Sequence, residues 1–157
     1  MIRRIGVFIA TIAYVGYAPV APGTFGSAAG LAVYYLVRRA GGAPLLELAV
    51  IAAVFLIGIW SGTEAEHFFG GTDPGPVVID EVMGMLITLA FVPVTVMGAV
   101  VGFLVFRVLD VIKPWPAARF EALPGGLGVM ADDAMAAVYG NLIMQVLVRV
   151  APHGWLT

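Results

Sequence analysis

The sequence predicts an all-α protein: a polytopic membrane helical bundle with one short N-terminal segment that either crosses or re-enters. Three observations predict it. The 157 residues are 61% hydrophobic and only 11% charged, with a mean hydropathy of +1.02, whereas soluble domains run at about 45–50% apolar and about 25% charged. The apolar residues fall in successive long runs. The few acids cluster at the ends of those runs, where charge is costly. A soluble globule of this size could not hide so much apolar surface, and disordered chains are polar and highly charged. The length fits a single domain over residues 1–157.

Taken in order, Met1-Ile-Arg-Arg leads into an apolar run from Ile5 to Val20. A positive start followed by an apolar run mimics a signal peptide, but the segment is read as part of the fold. Ala21-Pro-Gly-Thr-Phe-Gly-Ser27 reads as a loop, followed by apolar runs Ala28–Val37 and Ala43–Trp60. The second reaches the ~20 residues a membrane crossing needs if it runs on toward His67, which is read as a helix-end residue. Val77–Phe91 and Val94–Leu109 are shorter and read as an antiparallel pair joined by a tight turn at Pro93; Met130–Val150 is the last run. Arg38–Pro44, Phe69–Pro76 and Lys113–Gly128 read as loops.

Composition also excludes several functions. With no cysteine there is no disulfide framework, thiolate metal site or cysteine nucleophile. A net charge of −2 and a pI near 5.5 give no basic field for nucleic acid. His153 lies in no motif.

The acids carry the chemistry. Val77-Val-Ile-Asp80-Glu81 places two adjacent carboxylates at a helix start, and Gly125-Gly-Leu-Gly128-Val-Met-Ala-Asp132-Asp133 places two more at the start of the last helix. Acids in a first turn can simply complement the helix dipole. Two such pairs plus Asp110, in a chain with so few charges, point instead to a site. In the antiparallel trace Asp80, Glu81, Asp110, Asp132 and Asp133 converge on one membrane face, and Thr24–Ser27 return to it. Oxygen ligands without a His or Cys cluster suit a hard cation, chiefly Mg²⁺. Arg107, Asp110 and Lys113 follow at spacings of three, either as a salt-bridge network or as a clamp on an anionic group. Trp115 reads as an interfacial anchor. Thr24 and Ser27 add hydroxyls beside a glycine-rich stretch, though neither glycine-rich stretch fits a nucleotide-binding phosphate loop. Asp73 sits among turn-forming residues, and turn formation suffices to explain it.

Four blocks together resemble the phosphatidylglycerophosphatase A family: Ala21-Pro-Gly-Thr-Phe-Gly-Ser27; Asp73 with Val77-Val-Ile-Asp-Glu-Val-Met-Gly84; Phe106-Arg-Val-Leu-Asp110-Val-Ile-Lys-Pro-Trp-Pro116; and Gly125-Gly-Leu-Gly-Val-Met-Ala-Asp132-Asp133. One departure is Ala137, where the family often has glycine. The resemblance implies a Mg²⁺-requiring, all-helical enzyme of the bacterial inner membrane that converts phosphatidylglycerophosphate to phosphatidylglycerol and phosphate. On that footing Asp80, Asp132 and Asp133 are expected to hold Mg²⁺, with Glu81 as ligand or general base. Asp110 would orient a ligand or Lys113, while Arg107, Lys113, Thr24 and Ser27 hold the phosphate. Water attack and an aspartyl-phosphate on Asp80 or Asp132 both stay open. The site is expected to face the cytoplasm, since Arg3 and Arg4 join the acid face if the first segment returns. Another lipid phosphatase, a lipid phosphotransferase, and a non-catalytic cation channel or carrier are the alternatives. The Asp-Gly-x-x-Ala-Arg signature of CDP-alcohol phosphotransferases is absent, and acids at helix ends beside cations fit phosphate better than cation passage.

Overall fold

A computed structural model describes residues 1–152 and 154–157; His153 lies outside the described residues. Seven helices follow in order: α1 (Ile2–Ala10), α2 (Pro22–Arg39), α3 (Pro44–Phe69), α4 (Ile79–Thr88), α5 (Val96–Ile112), α6 (Ala117–Phe120) and α7 (Gly126–Val150), with no strand among the described residues. Among these residues α3 alone is long and apolar enough by itself to cross a membrane. The all-helical expectation holds, while several predicted boundaries move.

The first apolar run is not one helix. It breaks after Ala10, and Ile12, Ala13 and Tyr14 all take left-handed backbone angles (φ 47°, 51° and 71°), a region that costs an L-residue roughly 1–2 kcal/mol. Thr11 holds this reversal, its hydroxyl accepting from the Tyr14 N–H at 3.2 Å and donating to the Phe8 carbonyl at 3.4 Å. The chain thus returns to the end of the bundle from which it came. Arg3 lies 3.9 Å from Glu64, near the end of α3, and a single 3₁₀ turn (Val15–Tyr17) leads back to α2.

Neither glycine-rich stretch is a loop. Pro22 starts α2, as proline favours the first helical position, so Gly23 through Ser27 lie inside the helix. Gly23, Gly26 and Gly30 share one face of α2, and a Cβ at any of them would strike α4 or a side chain it carries. Gly126 likewise starts α7, its N–H donating to Thr63 Oγ1 at 2.9 Å. Asp132 and Asp133 therefore sit in the second turn of α7 rather than opening it, which removes the dipole explanation for that pair.

The central element is α4, only ten residues and about 15 Å long. All of it except Glu81 and Ile87 is buried, packed by α2, α3, α5 and α7. Phe106 of α5 fits where Gly84 has no side chain, and Leu89 packs against Gly102. The helix ends at Leu89, and the turn to α5 is closed by side chains from three other helices. Tyr34 donates to the Val92 carbonyl at 2.6 Å and accepts from the Val94 N–H at 3.3 Å. Glu47 accepts from the Phe91 N–H at 2.6 Å while pairing with Arg38 at 2.9 Å. Asn141 donates to the carbonyls of Thr88 and Ala90 at 3.2 and 2.9 Å. Thr95 caps α5 through the Gly98 N–H and binds the carbonyl of Trp155.

Glu47 is 5% exposed, so Glu47→Ala strands a guanidinium and an amide at once. We expect a loss of about 2 kcal/mol, less than for a fully buried pair because the Arg38 side chain is 31% exposed. Glu47→Gln should lose less. Denaturant unfolding of the detergent-solubilised protein, followed by helicity, reads the difference.

Candidate active site

The end of the bundle opposite that turn holds the charges. The first turn of α4 carries Asp80 and Glu81, the last turns of α5 carry Arg107 and Asp110, and Lys113 caps α5 with a left-handed φ of 44°. Asp132 and Asp133 of α7 face them. Asp80, Glu81, Asp110, Asp132 and Asp133 fall within electrostatic reach of one another. Burial is deep: Asp80 is 7% exposed and Asp132 and Asp133 are each 2% exposed.

The two cations are already engaged. Arg107 binds Asp110 at 2.7 Å and Glu81 at 3.6 Å, and Lys113 pairs closely with Asp132. Burial works against the Lys113 ammonium, but the hydrogen bond and charge of Asp132, aided by Asp133 and Glu121, hold its pKa above the usual lysine range. Asp132 also accepts from the Asp133 N–H through its other oxygen at 2.8 Å. Three carboxylate oxygens are buried without any hydrogen-bond partner: Asp80 Oδ1, Glu81 Oε2 and Asp133 Oδ2. An unpartnered buried carboxylate oxygen is costly, and oxygens of this kind suit a hard cation. Among the described residues, however, no group of three acidic or histidine side chains is arranged to hold a metal ion, and Lys113 and Arg107 are paired with part of the same acid set.

The other expected site residues divide. Thr24 is half-buried beside Gly23, and Gly23 faces both Glu81 and the Arg107 guanidinium. Ser27 is fully buried and donates its hydroxyl hydrogen to the Gly23 carbonyl at 2.9 Å. That hydrogen bond closes within α2, so its hydroxyl serves the helix in this arrangement. His67 ends α3 and is exposed, as expected.

Two acids missed in the sequence reading join this end. Asp73, an exposed loop residue expected as a turn former, also lies within electrostatic reach of Lys113, Asp132, Glu121 and Asp110. It has a left-handed φ of 44° and donates its N–H to Glu66 Oε1 at 3.2 Å, which holds the loop. Its place in the same block as Asp80 was the available signal. Glu121 follows α6 and left no signal, since only the tertiary fold brings it near Lys113.

The fit at Gly23 gives a test that separates site from fold. A methyl there meets the mobile tips of Glu81 and Arg107, with the guanidinium nitrogens at 3.0 Å, so those tips must move while the backbone need not. Gly23→Ala should cut turnover at least ~10-fold, more than 1.4 kcal/mol in barrier terms, with little change in unfolding midpoint. Gly71→Ala, where a Cβ meets nothing within 4 Å, should leave both unchanged.

Comparison with known proteins agrees with the geometry. The model of the family described as phosphatidylglycerophosphatase A matches residues 8–148. The chain is 35% identical over 148 residues to phosphatidylglycerophosphatase A of Escherichia coli, covering 90% of this chain and 83% of that protein. It is 34% identical over 126 residues to phosphatidylglycerophosphatase A of Haemophilus influenzae, covering 79% and 77%. A putative phosphatidylinositol-3-phosphatase of Bacteroides thetaiotaomicron is 35% identical over 139 residues, covering 83% and 86%. No solved structure matches the chain. With a family match over most of its length and a buried acid–base cluster built from that same stretch, the chain belongs to the phosphatidylglycerophosphatase A family and is a phosphatase.

Proposed function

We propose that this phosphatase removes the terminal phosphomonoester of phosphatidylglycerophosphate, giving phosphatidylglycerol and phosphate. The observation that carries the reading is the 35% identity over 90% of the chain to a protein of that name. The convergence of five carboxylates with Arg107 and Lys113 at one end of the bundle supports it. A single domain over residues 1–157 would house the site.

Hydrolysis of a phosphomonoester requires in-line attack on phosphorus, neutralisation of the phosphoryl oxygens and protonation of the leaving alkoxide. Arg107 and Lys113 supply the positive charge, Lys113 by turning from Asp132 and Arg107 by turning from Asp110. Thr24 donates to a phosphoryl oxygen; Ser27, committed to the Gly23 carbonyl, would have to rotate to add a second donor. In the water route, Glu81 takes the proton as water oxygen bonds to phosphorus, the bond from phosphorus to the glycerol oxygen breaks, that oxygen takes a proton from solvent, and Glu81 returns its proton to solvent. In the covalent route a carboxylate oxygen of Asp80 or Asp132 bonds to phosphorus as the bond to the glycerol oxygen breaks and that oxygen takes a proton from solvent; water then cleaves the acyl phosphate, releasing phosphate and restoring the carboxylate. Asp80, with a free oxygen, is better prepared for this than Asp132. The oxygen chemistry of the donors suits Mg²⁺, and the unpartnered oxygens of Asp80, Glu81 and Asp133 would have to close around it, with Asp132 joining once released by Lys113; when bound it would polarise the phosphoryl group and acidify water.

Chelation should abolish phosphate release, Mg²⁺ should restore it, and Ca²⁺, with its larger and looser coordination, should restore it poorly. Full activity in chelator overturns the metal assignment. Asp80→Asn and Asp133→Asn keep side-chain size and should each cost roughly 10²–10³-fold in turnover, the scale for losing one electrostatic partner of the reaction. Asp73→Asn should cost less, about tenfold. The Bacteroides relative favours a second reading, in which an inositol phospholipid monoester is the substrate. Phosphate release from the two lipids, compared in matched vesicles, decides between them.

The same reading makes the chain a multi-pass protein of the bacterial inner membrane. Helices α2, α5 and α7 would cross alongside α3, and α1 would enter and return. Arg3, Arg4, Arg107, Lys113 and Arg119 then share the acid face, against Arg38, Arg39 and Arg149 opposite, which favours a cytoplasmic site. Single cysteines at Gly71 and Ala118, both exposed, should resist an impermeant thiol reagent on intact cells, while one at Ala40 reacts. The reverse pattern inverts the topology.

A further inference from the structure

We infer that α1 and the end of α3 form a second lipid site, separate from the reaction centre, that takes the headgroup of an anionic diacyl phospholipid on Arg4. The inference rests on the membrane reading above.

Arg3, its neighbour, lies 3.9 Å from Glu64. Among the described residues Arg4 has no ion pair and no side-chain hydrogen bond, although acids are available elsewhere at this end of the bundle. Its side chain instead borders three cavities, of ≈ 570 Å³ with Ile5, Phe8 and Tyr14, of ≈ 330 Å³ with Val7, Tyr14, Tyr17 and Phe68, and of ≈ 780 Å³ with Arg3, Glu64 and Phe68. The walls of the first two are apolar or aromatic and carry no acid, and the acid of the third, Glu64, is paired with Arg3.

The aromatic rings form a continuous series. Phe8 meets Tyr14 at 5.3 Å, Tyr14 meets Tyr17 at 5.8 Å, Tyr17 meets Phe69 at 6.3 Å, and Phe69 meets Phe68 at 5.1 Å. Phe8, Tyr14, Tyr17 and Phe68 nevertheless remain 44–61% exposed. Tyr14 reaches this position because of the left-handed reversal at Ile12–Tyr14, so a strained backbone places a ring beside Arg4.

A planar guanidinium binds phosphate through paired hydrogen bonds. Rings with an apolar body and a polar tip sit at headgroup depth. Together they match a ligand whose phosphate joins two acyl chains: the phosphate on Arg4, the chains along Ile5, Phe8 and Phe68. Charge selects the occupant, because a zwitterionic headgroup returns a cation beside Arg4, which has no ion-pair partner among the described residues, whereas Arg3 is paired with Glu64.

Detergent-solubilised protein titrated with phosphatidylserine or phosphatidylcholine of identical chains, with bound lipid read by native mass spectrometry, tests this. Phosphatidylserine is a phosphodiester and offers the enzyme no monoester. The native chain should retain phosphatidylserine at least fivefold better than phosphatidylcholine, and high salt should remove the preference. Arg4→Gln should weaken phosphatidylserine retention roughly fivefold, the effect of one basic residue at an anionic surface, and Arg4→Lys should weaken it less. Lys113→Met should leave it unchanged. Equal retention of the two lipids by the native chain overturns the site, and so does loss with Lys113→Met but not with Arg4→Gln, which would put the lipid at the reaction centre. Absent phosphate release with this retention pattern intact would instead count against the proposed function alone.

Discussion

The organisation of this protein depends on one constraint: a ten-residue helix bearing two acids lies buried at the centre of the bundle. Away from water, every backbone and side-chain polar group of α4 must find a partner in the protein. At one end the chain meets this requirement for the backbone, although the buried Thr88 hydroxyl keeps no partner. Tyr34, Glu47 and Asn141, from three separate helices, take up the amides and carbonyls of the turn after Thr88. At the other end Asp80 and Glu81 each keep an oxygen without a partner. That contrast separates the structural end of the bundle from the chemical one.

The glycines follow from the same constraint. For α4 to be enclosed, its neighbours must come close, and α2 does so through Gly23, Gly26 and Gly30. Close approach adds dispersion contacts at little side-chain entropy cost, the usual basis of helix association where lipid supplies no hydrophobic drive. It also delivers the backbone of α2 to the Glu81–Arg107 pair, so one face of one helix both packs the core and borders the site.

Charges at the acid end are held in reserve against each other. Arg107 pairs with Asp110 and Glu81, and Lys113 with Asp132, while the site is at rest, which gives these three carboxylates a counter-charge. Under the proposed function, a phosphoryl group would compete with the carboxylates for the same cations, and each carboxylate so released would be free to act as ligand, base or nucleophile.

The sequence by itself determined the helical class, the position of α3, and the identity of the main charged residues, because hydropathy and the cost of charge in apolar runs are local properties. The blocks around Asp80, Asp110 and Asp132 also indicated the family. Only tertiary structure decided that Pro22–Ser27 is helix rather than loop, since the glycines there are chosen for contact with α4 and not for a turn. It also decided that the first apolar run reverses at Ile12–Tyr14, where no glycine or proline marks the break and Thr11 holds the bend. Asp73 and Glu121 reached the site in the same way. Asp73 is remote from Lys113 in sequence, and Glu121 lies beyond the turn that follows α5; the packing of α4, α5 and α7 brings both to one end. Periodicity describes which face of an element is apolar; it carries no information about which side chains of other elements will meet that face, and a site made of long-range neighbours is fixed by those meetings.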